Sequence, residues 1–166
     1  MDISLIEQED FDIISSISRN IDPAWYVPYI YTSQDFYIED RLGVDLLDEL
    51  KTQKDTNTLT VLNQTLLNGN LTKAIVYYTL YEALPFIHTR IENKGVTINK
   101  EDTQEAVDEN ILADRGLKIK LKADAYMKKV IDYLEKNKTD YPLYVSEDCG
   151  CNINEFTTFG IIWNKR

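Results

Sequence analysis

The stretch Asn70 to Lys94, NLTKAIVYYTLYEALPFIHTRIENK, decides how the rest of the 166-residue chain must be arranged. Val76, Leu80, Ala83, Leu84, Ile87 and Ile91 recur at helical spacing, while Ala74, Ile75, Tyr77, Tyr78 and Tyr81 make the opposite side apolar or aromatic as well. A helix that is hydrophobic nearly all round needs other helices about it, so the remaining segments are read as its packing partners. Pro85 inside the pattern predicts a kink and a freed carbonyl near Tyr81, and Gly95 suits a left-handed cap after Lys94.

Working outward toward the amino terminus, Leu59, Leu62, Leu66 and Leu67 mark a short helix. Asn68-Gly69-Asn70 is expected to end it and to offer Asn70 as the cap of the central helix. Before a polar stretch, Lys51 to Thr60, the segment Ile38 to Lys51 reads as a helix interrupted at Gly43. Leu42, Leu46, Leu47 and Leu50 face inward on it, and Asp45, Asp48 and Glu49 face water. Asp22-Pro23 is a helix start, because the carboxylate accepts from free first-turn amides and proline has none to waste. Trp25, Tyr29, Tyr31 or Tyr37, and Ile38 supply anchors along a helix disturbed near Pro28. Asp2 to Asn20 reads as an amino-terminal arm with an extended piece near Ile13 to Ile17.

Toward the carboxyl terminus, Val96-Thr97-Ile98 alternates like a brief strand. A long helix then runs from about Thr103 to Asn137, with Val107, Ile111, Ile119, Ala123, Tyr126, Val130 and Tyr133 or Leu134 as its inward stripe and a bend or break expected at Gly116. From Tyr144 to Arg166 the helical period is lost, and the residues suit an extended arm with room for a pair of short strands. Phe156, Phe159, Ile161, Ile162 and Trp163 are a large apolar load for a tail and need a surface to lie on, the bundle itself or another chain. The expected fold is all-α: a helical bundle around a central buried helix, with a long charged helix and extended N- and C-terminal arms. Residues 1–143 form its body with the first arm, and residues 144–166 form the second arm.

Charge narrows the function. A net charge of −10 argues against an electrostatic grip on nucleic acid. The first ten residues are acidic where a secretion signal is basic, and the apolar run Ala74 to Ile87 is too short to span a bilayer. The expected place of assembly is therefore the cytoplasm, with no membrane contact. The charges are also sorted into blocks: residues 1–55 carry thirteen acids against four bases, residues 101–114 six acids and no base, and residues 115–138 eight bases against three acids. Acids at the start of the long helix and bases toward its end complement its dipole. Compatible with that reading is a second one, in which Glu105, Asp108 and Glu109 of one chain match Arg115, Lys118, Lys120 and Lys122 of the next, a head-to-tail contact that closes into a ring.

Catalytic patterns are sparse. Cys149-Gly150-Cys151 with one histidine, His88, falls short of a four-ligand zinc set, and ordinary reduced cysteines are expected. His88 has no Ser or Cys partner in a recognisable triad, and the carboxylates lie in solvated blocks. The isolated glycines at 43, 69, 95 and 116 are helix punctuation rather than a phosphate loop. No cofactor, metal or enzymatic activity is expected.

The order of these features resembles a known family. Ile38-x-x-x-Leu42-Gly43 after a first helix, the apolar run Ala74 to Leu84, the turn Gly95-Val96, and a long helix closing on Tyr133-Leu134 before Tyr141-Pro142 are similar to the head-tail connector proteins of tailed bacteriophages. The likeness is greatest to the ring or adaptor proteins of crAss-like phages and covers about Ile13 to Tyr144. It implies a structural virion protein, assembled in the host cytoplasm as a ring, typically of twelve copies, beneath the portal. Such a ring gives tail or further ring proteins a docking surface and continues the channel through which DNA passes without sequence-specific binding. No catalytic residues come with the family. An acidic channel wall, from the first 55 residues or from Glu101 to Glu109, would let DNA phosphates slide. Two rivals stand beside this reading: a monomeric helical module that holds one partner with its aromatic arm, and a small hydrolase built on a pocket that gathers ionisable groups.

Overall fold

The computed structural model describes residues 3–15, 22–92, 95–98 and 109–145, with backbone alone at 87–92, 95–98, 109 and 110. Within them the fold is all-α, apart from one two-stranded hairpin. The helices are α1 (Gln8–Ile14), α2 (Val27–Ser33), α3 (Glu39–Leu42), α4 (Val44–Asp55), α5 (Val61–Leu66), α6 (Thr72–His88) and α7 (Glu109–Lys136). The hairpin, β1 (Thr89–Glu92) and β2 (Gly95–Ile98), follows α6.

α6 is the axis. Ala74, Ile75, Val76, Tyr78, Thr79, Leu80 and Ala83 are all buried on it, and its flanks are taken by α7 and α2. Where α2 and α6 meet, the hydroxyls of Ser33 and Thr79 pair at 3.0 Å, both fully buried. Leaving either unpaired there would cost roughly 1–3 kcal/mol. The helix runs through Pro85, which has no N–H for the Tyr81 carbonyl, and four residues later β1 begins at Thr89. The expected helix to Lys94 is therefore too long: Ile91 lies on β1 opposite Val96, and Gly95 opens β2 opposite Glu92 instead of capping a helix. β-Branched Thr89 and Ile91 suit the pleated ladder better than a helix already weakened by proline.

Two expected helix boundaries prove continuous. Asn68-Gly69-Asn70 does not end α5; Leu67–Leu71 is a π turn that joins α5 to α6. The carbonyl of Leu67 accepts the Thr72 amide, the bond that defines the wider turn, and also Thr72 Oγ1 at 2.7 Å, while Leu66, Leu67 and Leu71 stay in the core. A second π turn, Gln34–Ile38, joins α2 to α3. α7 likewise passes through Gly116 unbroken, because Gly116 is buried where α7 lies against Tyr81 and Leu84. At 28 residues it is about 42 Å long. Residues 99–108, including Val107 and the expected start of that helix, lie outside the described residues.

Other boundaries hold. Gly43 sits at φ 83°, ψ 152° between α3 and α4, and Leu42, Leu46, Leu47 and Leu50 are each at most 2% exposed. Asp22 accepts from the amide of Ala24 at 3.0 Å and opens a short 3-10 turn, Pro23–Trp25; α2 then restarts with Pro28 in its first turn. Glu49 departs from expectation: it is half-buried and accepts from Asn63 Nδ2 at 2.8 Å and Gln53 Nε2 at 2.7 Å.

The largest correction concerns the amino-terminal arm. Residues 8–14 are a helix, with reciprocal capping between Glu7 and Asp10, so Ile13 and Ile14 of the expected extended piece are helical, while Ser16 and Ile17 lie outside the described residues. Phe11 is buried face to face on Tyr26, with centroids 4.1 Å apart and planes 3° from parallel. Leu5 and Ile6 are also in the core. Fully buried Gln34 accepts from the Leu5 amide at 2.7 Å and donates to the Ile3 carbonyl at 2.9 Å, so the segment is bonded to the bundle as well as packed on it. At the other end Tyr141 and Tyr144 are buried, which carries the body to at least Tyr144. Residues 146–166, with the remainder of the expected second arm, lie outside the described residues.

Candidate functional site

Because 3.6 residues make a turn, positions separated by 3, 4 and 7 share one side of a helix. Arg115, Lys118, Lys122, Lys129 and Lys136 of α7 fall on such a line, and all five are exposed. Between them Tyr126 stacks on Tyr77 of α6, with centroids 5.6 Å apart and planes 7° from parallel. Lys129 Nζ is 5.1 Å and Lys73 Nζ 5.8 Å from the Tyr126 ring centre, and Lys122 Nζ is 5.6 Å from that of Tyr77. Each such contact is worth about 0.5–1 kcal/mol at an exposed site, too little to consume the charge. Among the described residues, none of Lys73, Lys122, Lys129 and Lys136 makes an ion pair. Apart from Lys118, which pairs with Asp114, the face is thus a row of cations without ion pairs among the described residues, with flat tyrosine rings between them.

The sequence-predicted contact residues divide across this geometry. Arg115 and Lys122 lie in the row, and Lys118 does too but is bonded to Asp114 at 2.6 Å. Lys120 does not; it is half-buried on another side of α7, 5.7 Å from the Tyr81 ring centre. Glu109 begins α7, its side chain outside the description, and Glu105 and Asp108 lie outside the described residues. Phe156, Phe159, Ile161 and Trp163 of the expected partner-binding arm lie outside them as well, as do Cys149 and Cys151. Ile111, expected on the inward stripe, is 49% exposed, since α7 has turned its Leu112 side toward α6 by that point.

Lys120 belongs to a second feature. Two clefts meet at it along α7, one of 510 Å³ toward Phe36, Tyr37 and Arg41 and one of 550 Å³ toward Pro85 and Phe86. Phe36 (70%), Leu117 (57%) and Leu121 (59%) are exposed, with Phe86 less so. The floor of the first cleft is a pair of stacked tyrosines, Tyr37 and Tyr78, 4.3 Å apart with planes 2° from parallel. Tyr37 donates to Glu82, and Tyr78 donates to Asp124 at 2.7 Å. Burial lifts both hydroxyls well above the ordinary tyrosine range, and the bonds to carboxylates add to it. Held protonated, they brace α2, α6 and α7 rather than exchange protons. Sequence reading made Tyr78 part of the central helix's apolar surface and left the anchor as Tyr31 or Tyr37, but missed the exposed Phe36, Leu117 and Leu121. Leu117 and Leu121 lie four apart to one side of the buried stripe, a visible signal once the stripe is fixed.

A third surface is acidic. Asp45, Asp48 and Asp55 of α4 are exposed on one side of that helix, beside exposed Val44. Among the described residues no three His, Cys, Asp or Glu side chains gather as for a metal ion, and no helix is long and apolar enough to cross a membrane.

Comparison with known sequences places the chain without giving it a task. Neither the curated proteins nor the solved structures provide a match. A family model does match, over residues 38–154, from the last residue of the π turn Gln34–Ile38 through α3 to α7, and so across the three surfaces except for Phe36 and Tyr37 of the first cleft. The chain belongs to that family, DUF6712, a family of unknown function.

Proposed function

We propose that the protein is a structural subunit of a tailed-phage virion that forms a ring between portal and tail, a head-tail connector without catalytic activity. The observation that carries this reading is the unpaired cationic row on α7 in a chain whose net charge is −10. Such sorting leaves each copy electrostatically incomplete on one side and overcharged on others, which a second copy relieves. The row of Arg115, Lys122, Lys129 and Lys136 meets the acidic block Glu105, Asp108 and Glu109 of the next subunit. That head-to-tail contact closes under rotation, with twelve copies as the expected number. The α4 face with Asp45, Asp48 and Asp55 then turns to the channel, where it repels DNA phosphates and lets them pass.

Electron microscopy of the protein mixed with a tailed-phage portal protein tests the reading. Rotationally symmetric rings are expected with the wild type and not with Lys122→Glu/Lys129→Glu. Adding Glu105→Lys/Asp108→Lys to the reversed chain restores them. A protein that stays monomeric with portal, or whose association is indifferent to these reversals, overturns the reading.

A further inference from the structure

We infer that the two clefts along α7 are the seat of the chain's own residues 146–166, bound by the copy that carries them. Both clefts are lined by Lys120, and together they present Phe36, Phe86 and Leu117, with Leu121 one turn further along α7. Side chains of this size exposed on one side of a body are a surface that water does not favour. The segment outside the described residues supplies the matching load: Phe156, Phe159, Ile161, Ile162 and Trp163 within eight positions.

Charge agrees. The acids at the seat already have partners, since Glu82 takes Tyr37, Asp124 takes Tyr78 and Asp40 lies 3.6 Å from Arg41. Lys120 and Lys128, both at the first cleft, make no ion pair among the described residues. The segment brings Glu147, Asp148 and Glu155 ahead of its aromatic part. Unpaired cations on the wall thus face acids on the occupant.

Reach decides the source. The described chain ends at Val145, just past Tyr141, whose hydroxyl donates to the Leu62 carbonyl at 2.8 Å. Leu62 and Phe86 are 24 residues apart on the continuous helical run, roughly 36 Å at 1.5 Å per residue. Phe156 to Trp163 lie 11 to 18 residues beyond Val145, which extended chain carries about 36–65 Å. A tethered segment that can span to its seat meets it at an effective concentration near the millimolar range, well above that of a second copy in dilute solution.

The test uses the full chain with the photo-reactive residue benzoylphenylalanine in place of Leu117, prepared as an equal mixture of isotopically light and heavy protein. Cross-links from position 117 to residues 146–166 within chains of one isotope are expected. Cross-links between light and heavy chains, or none to this segment, overturn the inference. A second readout guards against a disturbed fold. In a Trp25→Phe background, the emission of Trp163 shifts to the red in Phe86→Asp and in Leu117→Asp, each weakening the seat by about tenfold or more. It stays put in Lys122→Glu/Lys129→Glu. That charge pair tests the ring and this emission tests the seat, so each idea fails on its own measurement.

Discussion

The hydroxyl of Tyr78 reaches Asp124 at 2.7 Å, which ties the middle of α6 to the middle of α7 through a tyrosine that is 3% exposed. Its stacked neighbour Tyr37 makes the equivalent bond to Glu82, so α2's extension, α6 and α7 are linked by two parallel rings and two carboxylates. Both bonds require protonated phenols.

Alkaline pH should therefore loosen this junction first. Free tyrosine titrates near pH 10, and burial, then the carboxylate partners, hold these two hydroxyls protonated well beyond that. A folded value above the unfolded one means that the stabilisation is complete below about pH 10 and is lost as the pH climbs from there through the folded value. Urea denaturation at stepped pH should show wild-type stability falling above pH 10. Tyr37→Phe/Tyr78→Phe should start lower, by about 1 kcal/mol per lost bond, and fall less steeply. Parallel curves would mean that other groups set the alkaline limit.

Gly43 and Gly116 should respond oppositely to the same change. At Gly43 no neighbouring atom lies within 4 Å of an added Cβ, yet φ 83° with ψ 152° is backbone that essentially only glycine adopts. Gly43→Ala is expected to destabilise by about 1–3 kcal/mol through strain alone. A thermal midpoint that does not fall would contradict the backbone angles.

Gly116 has helical backbone, and its added Cβ would meet Leu84 Cδ2 at 3.7 Å and Tyr81 Cε2 at 3.9 Å, which is ordinary contact. Gly116→Ala should therefore stabilise by about 0.5–1 kcal/mol, the usual helix-interior gain, and raise the melting temperature. A loss would show that α6 and α7 sit closer there than 3.7 Å allows.

These two glycines also show what could be read in the chain beforehand. Gly43 interrupts a strict leucine pattern, and Leu42, Leu46, Leu47 and Leu50 announce the inward side whatever the partners are. Asp22-Pro23 is similarly local, and the structure keeps its cap. Gly116, Asn68-Gly69-Asn70 and the amino terminus failed for one reason: their conformation is set by distant partners. Buried Leu66, Leu67 and Leu71 carry the helix on through the π turn, Tyr81 and Leu84 make room for a buried glycine, and Tyr26 and Gln34 turn a weak helix former into α1. The row on α7 was half visible, because Lys122, Lys129 and Lys136 repeat every seven residues. Its tyrosine filling depends on Tyr77 and Tyr126, which lie 49 positions apart, and only packing could show it.

Gln34 holds the amino terminus, and its loss should release that segment rather than unfold the bundle. Its carboxamide is fully buried and satisfied at both ends, by the Leu5 amide and the Ile3 carbonyl. Gln34→Leu keeps much of the volume but leaves both backbone groups unpaired in the interior, at roughly 1–3 kcal/mol for each. The segment has an alternative open to it, since its anchors are few, Leu5, Ile6 and Phe11 in the core with half-buried Ile14 and the Glu7–Lys54 ion pair beside them, and water can satisfy the freed groups once it lifts away. Hydrogen exchange should accordingly quicken at Leu5 and through residues 8–14 in Gln34→Leu, while the amides of Ala74 to Ala83 on α6 keep their protection. Equal quickening along α6 would mean that α1 and the bundle unfold as one unit, and that the amino terminus is core rather than a docked strap.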